Sequence, residues 1–204
     1  MSEARAPAVD KRRAILDSAI RVFARQGYHA TRVSDIADEA GVAYGLVYHY
    51  FRSKEAVMTE LFTERWSLLL AAGDDLIARD VPPREKLEGI AGFIIGSYRH
   101  DPELMKVIIV EVTRAANSFG AIHLPEISRA YDAVATIVRE GQRDGVFRPE
   151  VDPEFVGMWF YGAIEQLLSG WIFGLVPAVD EQFDRAERMV VETLCCGLER
   201  RDEL

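Results

Sequence analysis

Apolar residues recur at spacings of three and four along almost the whole chain, and no stretch alternates apolar with polar residues between turn signals. That pattern predicts helices throughout and no sheet. A first helix, from about Asp10 to Arg25, carries Ile15, Leu16, Ala19, Ile20 and Phe23 as its buried stripe and is stopped by Gly27. Two short helices follow, about Val33 to Ala40 and about Tyr44 to Tyr50, with Gly41 between them. Ser53 is suited to cap a long fourth helix that runs to about Arg79, before Pro82 and Pro83 break the chain. Asp101-Pro102, Leu124-Pro125 and Asp152-Pro153 then each set proline at the first position of a helix, twice behind a capping aspartate, and Asp180 opens a last helix to about Arg200. The expectation is an all-α fold of about nine helices, three short and six longer. Residues 1–9 are expected to form a flexible N-terminal arm, 10–55 a small three-helix head and 56–204 a larger body, with the division inside the fourth helix.

Charge sharpens this division. The chain of 204 residues has a formal net charge of −9, which by itself argues against nucleic acid. Residues 1–55, however, hold nine Lys/Arg and seven Asp/Glu, whereas the remainder holds fifteen and twenty-six. A neutral-to-basic head on an acidic body suits a protein that touches phosphate with one end. Phe155 to Val176 is long enough to span a bilayer, but Glu165 would sit near mid-membrane and the flanks are acidic. A helix buried within its own subunit and against another is the better reading, so no membrane partner is expected. The N-terminal MSEARAPAVDKRR has no apolar signal region, which fits a cytoplasmic protein. Cys195 and Cys196 are adjacent, point different ways on a helix, and form neither a metal quartet nor a disulfide framework. His29, His49, His100 and His123 are scattered, none with a glutamate three residues before it, and phosphate-loop, HExxH and nucleophile-elbow motifs are lacking. Neither catalysis, a cofactor nor a metal is expected.

The segment that carries chemistry is Thr31 to Lys54, TRVSDIADEAGVAYGLVYHYFRSK. Ile36, Ala37 and Ala40 make the inner face of the first short helix. Gly41 turns the chain, since glycine takes a left-handed conformation without penalty. Val42 plugs the turn, and Val47 and Phe51 anchor the next helix. That leaves Ala43, Tyr44, Gly45, Tyr48 and His49 facing outward. Two short helices joined by a glycine-containing turn make either a plain helical hairpin or a helix-turn-helix whose second helix enters the major groove. In the second case small residues at 43 and 45 permit close approach, side chains near the helix start read base edges, and tyrosine hydroxyls position the protein on phosphates. Thr31, Arg32 and Lys54, at the flanking helix starts, are placed to grip the DNA backbone.

With the first helix before it, this segment resembles the DNA-binding domain of TetR-family repressors. The shared residues are Ala24, Gly27-Tyr28, Thr31, Ile36-Ala37, Ala40-Gly41-Val42, Gly45, Tyr48, Phe51 and Ser53-Lys54-Glu55. The resemblance implies an all-helical homodimer that binds a palindromic double-stranded DNA operator and releases it when a small molecule enters the C-terminal domain. By family position, Tyr48 and Lys54 look like phosphate contacts, and Ala43, Tyr44, Gly45 and His49 look base-facing.

The body offers candidates for that effector. Gly89, Gly92 and Gly96 line one face of the fifth helix and make room for either a close helix or a ligand. The apolar sixth helix and the aromatic eighth serve equally as core or as the wall of an apolar cavity. Phe93, Gly96, Arg99, Lys106, Ile109, Arg114, Asn117, Trp159 and Gln166 are the candidate ligand-binding residues, the cations among them suited to an anionic head. Phe160 to Gly174, FYGAIEQLLSGWIFG, resembles the eighth helix of the fatty-acyl-CoA-responsive branch of the family, which implies a long-chain acyl-CoA effector. Small residues at Gly157, Gly162, Ala163 and Gly170 and the stripe Met189, Val190, Leu194, Gly197 and Leu198 suit a four-helix dimer bundle. A helical lipid carrier without a DNA role shares the apolar body but has no use for the outward Tyr44, Tyr48 and His49.

Overall fold

The computed structural model describes residues 8–112 and 123–198, and all regular structure among them is helical. In chain order the elements are α1 (Ala8–Gln26), α2 (Val33–Ala40), α3 (Tyr44–Tyr50), α4 (Lys54–Ala78), α5 (Pro83–His100) and α6 (Pro102–Val107). A π-helical turn over Ile108–Val112 continues α6, and α7 (Leu124–Arg143), α8 (Pro153–Ile172) and α9 (Asp180–Leu198) complete the described chain. The all-α expectation holds, with nine α-helices among the described residues. Punctuation acts as the sequence suggests. Gly27 and Gly41 take φ of 82° and 63°, Ser53 Oγ accepts the Ala56 N–H at 3.2 Å, and Asp152 Oδ1 accepts the N–H groups of Glu154 and Phe155 at 2.9 and 3.2 Å.

Contacts divide the chain into two units. The first takes the chain up to Arg65 and again from Glu103, so that α6 and its π-turn belong with the N-terminal helices. Its core is the predicted α1 stripe, Ile15, Leu16, Ala19, Ile20 and Phe23, against Ile36, Ala37, Val47, Phe51, Val57, Leu61 and Phe62. Each large apolar side chain fully buried there stabilises by roughly 1.5–3 kcal/mol. Surface ion pairs align the helices: Arg21 and Arg25 hold Glu39 of α2 at 2.8 and 3.1 Å, and Arg12 meets Glu60 of α4 at 2.6 Å. The arginines keep the Glu39 carboxyl below the usual carboxylate range. Lys106 of α6 donates to the carbonyl of Ala24 in the last turn of α1 at 2.8 Å, which suits the negative end of that helix.

The second unit is built from the rest of α4 with α5, α7, α8 and α9. Ile90, Ile94 and Ile95 of α5, Val134, Ile137 and Val138 of α7, and Phe160, Ile164 and Leu168 of α8 are buried at its centre. Tyr98, Trp171 and Phe183 lock α5, α8 and α9 together, with ring centroids 4.7–5.8 Å apart. Lys86 is buried and fully used: its ammonium meets both oxygens of Glu140 at 2.7 and 2.8 Å and the Ile77 carbonyl at 3.0 Å. Cys195 is buried while Cys196 is exposed. No helix among the described residues is long and apolar enough to cross a membrane, and no group of three metal-ligating side chains occurs among them.

Candidate nucleic-acid interface and effector-domain surface

The helix-turn-helix is held from beneath. The N–H groups of Gly41 and Val42 close the end of α2 on the carbonyls of Asp38 and Ala37 at 3.2 and 3.0 Å, and buried Val47 pins α3 to the head core. At the start of α2 the Asp35 carboxylate accepts the Arg32 backbone N–H at 2.8 Å and the Gln26 amide at 2.9 Å. The Arg32 bond in particular holds Asp35 below the usual carboxylate range. On the outer face, Ala43, Tyr44, Gly45, Tyr48 and His49 are all exposed together. A Cβ added at Gly45 would meet nothing within 4 Å, so another molecule can come close to the backbone there. Tyr44 and Tyr48, one turn apart, pack edge to face with centroids 5.0 Å apart, and the Tyr44 hydroxyl donates to that of Tyr48 at 3.1 Å. The neighbouring Tyr44 phenol keeps the Tyr48 phenol above its ordinary value. The pair is a prearranged aromatic edge carrying hydroxyls suited to phosphate oxygens.

The three flanking residues are placed differently from one another. Arg32 is exposed. Thr31 is buried, and its hydroxyl donates to the Gly27 carbonyl at 2.7 Å, tying off the turn after α1. Lys54 turns inward: its ammonium donates to the carbonyls of Tyr28, Thr31 and His29 at 2.7, 2.8 and 3.4 Å and sits 4.4 Å from the Tyr28 ring centroid. Its charge is therefore engaged in shaping the α1–α2 connection.

The body candidates do not gather into one site. Leu76 fills the space over Gly89 and the Glu187 carboxylate that over Gly92, so both glycines admit neighbouring helices, while Gly96 faces open space. Phe93 is half-buried, and its carbonyl accepts the Ser97 hydroxyl at 2.5 Å. Arg99 pairs with Asp180 and Asp184 of α9 at 2.9 and 3.3 Å. Lys106 and Ile109 belong to the first unit, and Arg114 and Asn117 lie outside the described residues. Trp159 and Gln166 instead line an open, largely apolar groove of about 1050 Å³ along α8 and α9, together with Met189, Val190, Leu194 and Leu198 from the dimer candidates. Gly162 lies exposed, and Gly170 is buried with Val176 3.7 Å from where its Cβ would stand. Gly157 is turned into its own subunit, where an added Cβ would come within 2.8 Å of the Tyr131 carbonyl oxygen, so its smallness serves the α7–α8 contact instead of a dimer face. Two features of this surface had no place in the sequence expectations: Arg148 and Arg185 on the groove wall, and the exposed apolar residues that follow α8. The uncharged run FGLVPAV was the available signal for the second.

Two family models match this chain. Residues 15–61 match the family model of bacterial regulatory proteins of the tetR family, and residues 83–194 match that of a tetracyclin repressor-like C-terminal domain. The fatty acid metabolism regulator protein of Bacillus subtilis is 27% identical over 190 residues, covering 92% of this chain and 95% of its own. The HTH-type transcriptional repressor KstR2 of Mycolicibacterium smegmatis is 32% identical over 150 residues, 72% of each chain. Among solved structures, the transcriptional regulator FadR from Bacillus subtilis in complex with stearoyl-CoA is 25% identical, with a TM-score of 0.80 over 91% of this chain and 98% of that one.

Proposed function

This chain belongs to the tetR family of bacterial regulatory proteins, and we propose that a long-chain acyl-CoA is the effector that releases it from its operator. Membership makes it a dimeric, DNA-binding, ligand-responsive transcriptional repressor, and it sets aside a lipid carrier without a DNA role. In the proposal, Ala43, Tyr44, Gly45 and His49 face base edges, Tyr48 and Arg32 meet phosphates, and the α8–α9 face joins two subunits so that two heads read a palindrome in the cytoplasm. Thr31 and Lys54 act one step back, by fixing the chain that presents α2.

The observation that carries the effector is similarity over nearly the whole chain, body included, to a regulator solved with stearoyl-CoA. Release requires the thioester to bind the conformation that is off DNA more tightly than the one on it. The test is thermal unfolding with acyl-CoAs of graded chain length, followed by operator release measured by fluorescence anisotropy. A ligand at a hundred times its dissociation constant stabilises by about 2.7 kcal/mol. Stabilisation that grows with chain length, matched by release at the same concentrations, is the expected result. A protein that binds its operator yet shows neither effect with any acyl-CoA would keep the repressor and discard this effector.

A further inference from the structure

We propose that the loop between α8 and α9, residues 173–179, is a dimerisation arm that packs onto the α8–α9 face of the partner subunit. The inference rests on the proposal above that α8 and α9 form the dimer face, and adds to it a segment outside both helices. FGLVPAV contains no charged residue and only apolar side chains. Even so, Leu175 is 76% exposed, Val179 50% and Phe173 48%. Water-facing apolar residues scattered singly need no cause, but a contiguous apolar patch on a water-soluble surface marks an interaction site.

The loop is also shaped before any partner arrives. Gly174 turns the chain at φ 69°, and the N–H groups of Leu175 and Val176 both return to the Gly170 carbonyl, at 2.8 and 3.3 Å. These bonds fix the backbone against the end of α8 while leaving the side chains outward. A preordered arm loses less conformational freedom on docking.

Three observations single out a second copy of this chain as the occupant. Val176 lines the α8–α9 groove alongside Trp171, so the arm is continuous with the face that carries Trp159, 62% exposed, and Met189, 50% exposed. That one face carries both protruding aromatics and an apolar groove of about 1050 Å³, which is the self-complementarity a two-fold interface requires. The arm itself carries no lysine or arginine, and Arg99 beside it is already paired with Asp180 and Asp184, so neither an anionic membrane nor nucleic acid suits it.

The test is sedimentation-velocity measurement of the dimer dissociation constant for the full chain, for the arm variant L175D/V179D and for the face variant Trp159→Glu. Four buried apolar side chains are lost per dimer of the arm variant, so its dissociation constant should rise on the order of a hundredfold, with the helical circular dichroism unchanged. Trp159→Glu should dissociate the dimer as well. An arm variant that dimerises like the parent while Trp159→Glu is monomeric overturns the arm and leaves the face standing. If neither variant shifts the dimer, the α8–α9 face itself is wrong and the arm falls with it. An arm effect without a Trp159 effect also overturns the proposal, since the arm would then meet its partner elsewhere. Should L175D/V179D fail to fold, Leu175→Ser alone gives the same test, with about a tenfold rise expected.

Discussion

Replacing Lys54 by methionine separates two roles that one lysine at the start of α4 can have. Methionine keeps the apolar stem and removes the ammonium, which now donates to the Tyr28 and Thr31 carbonyls at 2.7 and 2.8 Å and faces the Tyr28 ring at 4.4 Å. Two charge-assisted hydrogen bonds contribute about 1.5 kcal/mol each and the cation–π contact about 0.5 kcal/mol more. Lys54 is only half-buried, so water recovers part of what the carbonyls lose, and a net loss of roughly 2 kcal/mol is expected. For a chain of this size that lowers the melting temperature by roughly 4–8 °C. Operator affinity should then be measured across a range of salt concentrations at a temperature where the variant is fully folded. A structural Lys54 leaves the slope of log affinity against log salt unchanged. A Lys54 that neutralises one phosphate lowers that slope by about 0.9. An unchanged melting temperature together with a reduced slope would refute the structural role.

Two further substitutions probe the head and the body. Because Arg21 and Arg25 hold the Glu39 carboxyl below its ordinary value, its contribution is present above the unfolded carboxylate range and is lost as pH falls through the lower folded value. The difference in urea midpoint between the parent and Glu39→Gln should therefore shrink from neutral pH to about pH 3, and a difference that stays constant across that range would contradict the assignment. Gly157→Ala should destabilise by about 1–2 kcal/mol, since its Cβ would meet the Tyr131 backbone oxygen at 2.8 Å and α7 and α8 would have to separate. Gly162→Ala, with nothing within 4 Å, should leave the subunit's stability the same or slightly raised and act only on dimerisation; equal thermal destabilisation by both variants would show that the two glycines do not face opposite ways.

The head was legible in the sequence because its local rules agree with one another. Apolar spacing, the left-handed glycine at position 41 and the Ser53 cap all point to the same two short helices, and the outward set at 43–45 and 48–49 is exposed as a unit. The inward Lys54 was not legible. A lysine opening a helix reads as a solvated cation, and only the folded chain brings the Tyr28 and Thr31 carbonyls to its ammonium. Spacing showed that Gly89 and Gly92 admit something close, but not that Leu76 fills one place and Glu187 the other. Helical geometry did contain the answer for Gly157: it lies five residues before Gly162, roughly 140° around the helix, so both cannot face one partner. Trp159 and Gln166, seven apart, share a face and share the groove. Phe93, Gly96 and Arg99 come from α5 but Lys106 and Ile109 from α6 and its π-turn, which the fold assigns to a different unit, and no periodicity within a helix shows that.

The return of α6 to the N-terminal unit makes the DNA-binding head a discontinuous module. The chain leaves it within α4, re-enters after Pro102 and leaves again, so three covalent connections join head and body where one would suffice for a tethered domain. A fragment ending at Arg65 would contain the whole helix-turn-helix yet lack Lys106, the residue that ties off the last turn of α1. A protease cut at any one connection would leave the other two intact. Grafting this head onto a foreign body therefore takes two excisions and a loop closure, and a single splice through α4 would transfer α2 and α3 without the α6 contact that supports α1.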